Sequence, residues 1–152
     1  MNNEKTIEVL NTLVQINNDR IEGYERAIKE TEEQDLETFF GVLTQTSKKN
    51  NQELTGEITR LGGTATEGTK TTGKFFRVWM DVKAALTGKD RKAILNSCEY
   101  GEDWAKDTYK KALENGSDNL SAEQQTMIKA QHTLLVADHN KVKAMRDSLV
   151  EA

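Results

Sequence analysis

Apolar positions recur three and four residues apart along four long stretches of the chain, the repeat of a single helical face. The first stretch, from about Asn3 to Glu33, carries Ile7, Leu10, Val14, Ile21, Tyr24 and Ile28, with Asn17 completing the series. The second, from about Leu36 to Leu61, carries Leu36, Phe39, Phe40, Leu43, Leu54, Ile58 and Leu61. Asp35 is placed to cap its start, and Gly62-Gly63 to end it in a left-handed turn. The third, Asp90 to Asn115, shows Ile94, Cys98, Ala105, Tyr109 and Ala112, with Asp90 as N-cap and Gly116 at the C-terminal glycine position. The fourth, from Ser121 to Val150, opens on Ser121-Ala122-Glu123-Gln124, which fits a capping box, and continues with Met127, Ile128, Leu135, Val142, Met145 and Leu149. No alternating pattern predicts a strand.

Rods of this length span roughly 35–45 Å at 1.5 Å per residue, and four of them with one apolar stripe each are most simply buried as a bundle. Short links near Glu33–Asp35 and Gly116–Leu120 make the first and second, and the third and fourth, antiparallel neighbours. Between the two pairs lies a long segment, Gly62 to Lys89. It starts polar and Thr-rich, then turns amphipathic with Phe75, Phe76, Trp79, Val82 and Leu86, which predicts a short extra helix over 74–87. The expected fold is all-α: one domain over 1–152, a ferritin-like up-down-down-up four-helix bundle with a long crossover.

Composition narrows the function classes. The 152 residues include no proline, 30% charged side chains and a net charge of −4, which disfavours nucleic-acid binding by bulk electrostatics. One cysteine excludes an intramolecular disulfide framework. No apolar run approaches the ~20 residues of a membrane span, and the polar, acid-containing start is not a secretory signal, so the expected compartment is the cytoplasm.

Four motifs carry a resemblance. Trp79-Met80-Asp81-Val82-Lys83-Ala84-Ala85-Leu86-Thr87-Gly88-Lys89-Asp90 resembles the crossover signature of an uncharacterised bacterial family of ferritin-like four-helix bundles, a domain of unknown function. Cys98-Glu99-Tyr100-Gly101-Glu102-Asp103 and the stretch Asp138-His139-Asn140 through Asp147 resemble its third- and fourth-helix motifs, and Asp19 with Gly23-Tyr24 its first-helix motif. The resemblance implies the bundle fold, a bacterial cytosolic setting and loose links to stress-related proteins. It implies no established reaction.

A carboxylate-bridged di-iron centre draws a Glu from each of two helices and Glu-x-x-His from each of the other two. The residues three before His132 and His139 are Lys129 and Val136, so that ligand set is absent. Placing each helix at ~100° per residue puts a set of polar side chains inside the apolar arcs near mid-helix. These are Asn17, Ser47, Asn50, Glu102, Gln131 and Asp138, with Glu25 and His139 at the edges; Glu99 falls outward. Two readings follow. One is a buried hydrogen-bond layer that fixes the register of the bundle. The other is a divergent iron or manganese site built from Glu102, Asp138, His139 and Glu25.

The remaining residues have plainer expectations. Cys98 is a buried structural thiol, His132 is exposed, and Trp104 lies off its stripe and needs a partner in the crossover or a second subunit. No triad or phosphate loop is present. Two functions are therefore expected: a non-enzymatic bundle acting by self-association, as a homodimer, or through a protein partner; and, as its alternative, a metal-binding ferritin-like protein. A small-ligand carrier is a weaker third, opposed by the polar middle.

Overall fold

The structure is a computed structural model that describes residues 3–67 and 91–150. Over those residues it is all-helical: α1 (Asn3–Glu30), α2 (Gln34–Arg60), α3 (Arg91–Asn115), a 3-10 turn at Ser117–Asn119, and α4 (Ala122–Val150). The expected crossover helix over 74–87 and the Asp90 cap lie outside the described residues.

The ends of the helices follow from local chemistry, with two departures. α1 stops at Glu30, three residues early, because a Thr-Glu-Glu turn intervenes before α2. Glu33, not Asp35, holds the N-cap position of α2, without a side-chain cap bond; Asp35 already sits in the first turn, where its charge favours the helix dipole. The C-terminus of α2 is closed as expected. Gly62 takes φ +87°, and the amides of Gly62 and Gly63 donate to the carbonyls of Thr59 and Ile58, the paired bonds of a Schellman turn. Gly116 is required for a different reason. Its φ is −99°, but a Cβ there would lie 2.7 Å from the Ala112 carbonyl oxygen and 3.1 Å from Val9 of α1. At α4 the capping box forms: the Gln124 amide donates to Ser121 Oγ at 3.0 Å, and the Ser121 amide donates to Gln124 Oε1 at 2.8 Å.

Each helix packs on two others, and the residue pairs fix their directions. Asn17 and Glu25 of α1 meet Asn50 and Lys48 of α2, so these helices run antiparallel. Asn17 and Arg20 of α1 meet Tyr109 and Glu102 of α3, so these helices run antiparallel. Gln124 and Gln131 of α4 reach back to Glu57 and Glu53 of α2, and Arg146 reaches Asn96 of α3, again antiparallel.

The apolar core is divided in two. One cluster gathers Leu10, Leu13, Val14 and Ile16 with Leu54, Ile58, Ala105, Ile128 and Leu135. The other gathers Tyr24, Ala27, Leu36, Phe40 and Leu43 with Ile94, Leu95, Cys98 and Val142. A belt of buried polar side chains runs between them.

Candidate functional site: a charged belt at mid-bundle and an acid–histidine cluster on its flank

The belt has two tiers, and every helix contributes one residue to each. The neutral tier joins Asn17 of α1, Asn50 of α2, Tyr109 of α3 and Gln131 of α4, all fully buried. Asn50 Nδ2 donates to Asn17 Oδ1 at 3.3 Å, and Asn17 Nδ2 donates to the Tyr109 hydroxyl at 2.7 Å. That hydroxyl donates to Gln131 Oε1 at 2.6 Å, and Gln131 Nε2 donates outward to Glu53 Oε1 at 3.0 Å. The chain of bonds gives each of these side chains a partner, which is what makes them tolerable inside a core, although Asn50 Oδ1 itself receives no bond.

The charged tier lies a turn away and joins Arg20, Ser47, Glu102 and Asp138. Arg20 is 4% exposed and Glu102 is fully buried. The guanidinium donates to Glu102 Oε1 from Nη2 at 2.8 Å and from Nε at 3.2 Å, to Asp138 Oδ2 at 3.2 Å, and to Ser47 Oγ. The Tyr24 hydroxyl donates to the same Glu102 oxygen. Outside the belt, Lys141 stands 4.0 Å from Asp138 Oδ1, so Asp138 faces two cations. Burial alone would lower the Arg20 pKa, but the charges of Glu102, Tyr24 and Asp138 and the bond to Glu102 outweigh it, and the net shift is upward. Arg20 is therefore a permanent internal cation.

Burial also pushes the Tyr24 phenol up, with the charge of Glu102 adding to it, and pushes Tyr109 up. The Cys98 thiol, buried beside Glu102, is raised by the same two causes in the same order. A thiol held protonated in an apolar pocket is an unreactive one.

These contacts bear on whether the mid-bundle carboxylates fit an iron or manganese ion. Arg20 sits between Glu102 and Asp138 and occupies Glu102 Oε1 and Asp138 Oδ2, so its bonds and its charge both oppose a metal there. A divalent ion 4 Å from the guanidinium would be repelled by about 8 kcal/mol at an effective dielectric near 20. Glu102 Oε2 is buried with no hydrogen-bond partner.

The sequence-predicted ligands are not gathered into one set. Glu102 and Asp138 face Arg20. Glu25 is exposed and pairs with Lys48 at 3.4 Å across the α1–α2 surface. His139 is turned to the flank, where its Nε2 lies 2.8 Å from Asp103 Oδ1 and 3.5 Å from Glu99 Oε1. Among the described residues, the donor atoms that converge within 4.8 Å of one another are those of Glu99, Asp103 and His139. Glu99 does not point to solvent as its helical angle suggests: its second carboxylate oxygen meets Arg146 of α4. His132 is half-buried rather than exposed, with its ring stacked on Tyr109 at 6.5 Å between centroids. Trp104 finds its partner in the first apolar cluster and lines an open groove of about 460 Å³ with Lys5, Val9 and Thr12 of α1.

Arg20, Glu99 and Asp103 are residues that reading the sequence missed. Arg20 lies three after Asn17 and four before Tyr24, inside the arc, and could have been found there.

No curated protein matches the chain. The sequence signature of a family described as a domain of unknown function (DUF2383) matches residues 5–115, a span that covers nearly all of α1 and the whole of α2 and α3, with Arg20, Glu99, Glu102 and Asp103. The chain belongs to this DUF2383 family.

Proposed function

We propose that the protein is a ferritin-like helical bundle without a catalytic centre at its middle, acting through a second copy of itself or a protein partner. The observation that carries this reading is Arg20: an internal guanidinium stands where a metal-dependent relative of this architecture would hold its ions. The antiparallel pairing of α1 with α2 and α3, and of α4 with α2 and α3, supports an up-down-down-up order. A belt with one member from each helix in each tier has the properties of a register device rather than of a reaction chamber. The family resemblance supports a bacterial, cytoplasmic, stress-related setting.

Association is supported by Tyr100 and Val42, large apolar side chains that are 53% and 45% exposed. The aromatic stretch Phe75, Phe76, Trp79 adds to it at the level of sequence. A twofold dimer is the simplest assembly. No helix among the described residues is long and apolar enough to cross a membrane.

Two measurements test the reading. Ferrous iron added under air is expected to oxidise no faster with the protein than in buffer, and light scattering is expected to return a dimer mass. Catalytic iron oxidation with two ions per chain would overturn the first half. A strict monomer at high concentration would remove self-association.

A further inference from the structure

The cluster on the α3–α4 flank has a different character from the belt. Glu99 and Asp103 stand four apart on α3, so both carboxylates project from one face toward α4, where His139 meets them. His139 is nine-tenths buried, yet its Nε2 makes no hydrogen bond. It lies 2.8 Å from Asp103 Oδ1 and 3.5 Å from Glu99 Oε1 without pointing its ring N–H at either oxygen. A buried imidazole nitrogen with two carboxylate oxygens beside it and no bond to them is an unfilled ligand position. The spacing suits a shared ion: donors at about 2.1 Å from one metal stand about 3.0 Å apart in an octahedron and about 3.4 Å in a tetrahedron. Nδ1 faces Asn140 Oδ1 at 3.5 Å, an acceptor that favours the proton on Nδ1 and leaves the Nε2 lone pair outward.

We propose that Glu99, Asp103 and His139 form a single-ion site that clamps α3 to α4, with a first-row divalent transition ion such as Mn²⁺ or Zn²⁺ as its occupant. One imidazole with two carboxylates prefers such ions to Mg²⁺ or Ca²⁺, which favour oxygen donors alone. Arg146 occupies Glu99 Oε2 and leaves Oε1 free to ligate, so it orients the carboxylate as an outer-shell partner. Lys106, 3.6 Å from Asp103 Oδ1, must swing away for the ion to enter. These two cations weaken the expected affinity for a divalent ion. The site shares no ligand with the Arg20 belt, so it stands or falls independently of the proposed function.

The test is calorimetric titration of chelator-treated full-length protein with Mn²⁺, Zn²⁺ and Mg²⁺. One Mn²⁺ or Zn²⁺ per chain is expected, with Mg²⁺ at least tenfold weaker. His139→Gln is expected to weaken binding at least tenfold. So is Asp103→Asn, whose half-exposed side chain can change without disturbing the core, while His132→Gln leaves binding unchanged. Co²⁺ should give a visible d–d spectrum that His139→Gln abolishes. Absence of binding by the wild-type chain would overturn the proposal, as would binding that survives both ligand substitutions or that favours Mg²⁺.

Discussion

Arg20 of α1 donates twice to a single oxygen of Glu102 on α3, at 2.8 and 3.2 Å, and both residues are buried at the centre of the bundle. The second Glu102 oxygen receives nothing. The pair is thus an internal salt bridge in which every nitrogen of the cation is engaged while one oxygen of the anion is not. Such pairs are weak as stabilisers and strong as constraints, because breaking one strands a charge in the core.

Removing the cation alone should therefore be severe. Arg20→Met leaves buried Glu102 without a counter-charge and Asp138 with Lys141 alone, and a loss of about 3–5 kcal/mol is expected in urea unfolding. The double replacement Arg20→Met with Glu102→Leu should recover a large part of that loss. A double variant as unstable as the single one would show that the pair is not the coupled unit described.

The neutral tier should respond more mildly. Tyr109→Phe removes the hydroxyl that joins Asn17 to Gln131 and leaves their amide groups without that partner, a loss of about 1–3 kcal/mol. A variant as stable as the parent would mean that water replaces the hydroxyl without penalty.

Alkali should unfold the protein through its phenols. Burial raises the Tyr24 and Tyr109 pKa values in the folded state above their ordinary value of 10.0, with the charge of Glu102 adding to the shift at Tyr24. A group with a raised folded pKa contributes stability that is complete below its unfolded pKa and is lost as pH climbs toward the folded one. Stability is expected to be flat up to about pH 10 on this account and to fall above it, with phenolate absorbance at Tyr24 and Tyr109 appearing together with unfolding. Ionisation of all three tyrosines before any loss of helix would contradict their burial.

Cys98 should be inert while the protein is folded. Burial and the nearby Glu102 charge hold the thiol protonated well above the ordinary 9.0. A thiol-exchange reagent at pH 8 is expected to react only on addition of denaturant, and rapid reaction of the native protein would show that the second apolar cluster opens.

Gly62 should be the sensitive residue of the α2 terminus. At φ +87° a side chain is strained, and Gly62→Ala is expected to cost about 1 kcal/mol in thermal unfolding. Gly56, where a Cβ would meet nothing within 4 Å, is the control: the same change there is expected to be neutral or stabilising.

Much of this arrangement was legible in the spacing of apolar residues. The four helical stripes, the Schellman turn at Gly62 and the capping box at Ser121 follow from local chemistry that neighbouring helices do not override. The polar residues of the belt stood out because Asn17, Ser47, Asn50, Glu102, Gln131 and Asp138 interrupt apolar arcs near mid-helix. Arg20 interrupts one too, but arginine is read as a surface residue unless a buried partner is known, and its partners are 82 and 118 positions away. Glu99 was hidden for another reason. The angle from the stripe of one helix says nothing about how far a neighbour wraps around it, and α4 reaches Glu99 with His139 and Arg146. Glu25, on the stripe edge of α1, shows the opposite error, since no helix among the described residues buries that edge and the side chain pairs with Lys48 in the open.

The central claim is that a guanidinium replaces metal at the middle of this bundle. Crystals soaked in ferrous iron and in manganese, with anomalous data collected at each absorption edge, test it most directly. The account expects the Arg20 guanidinium between Glu102 and Asp138 with no anomalous peak beside it. Two adjacent anomalous peaks ligated by Glu102 and Asp138, with Arg20 displaced, would contradict it.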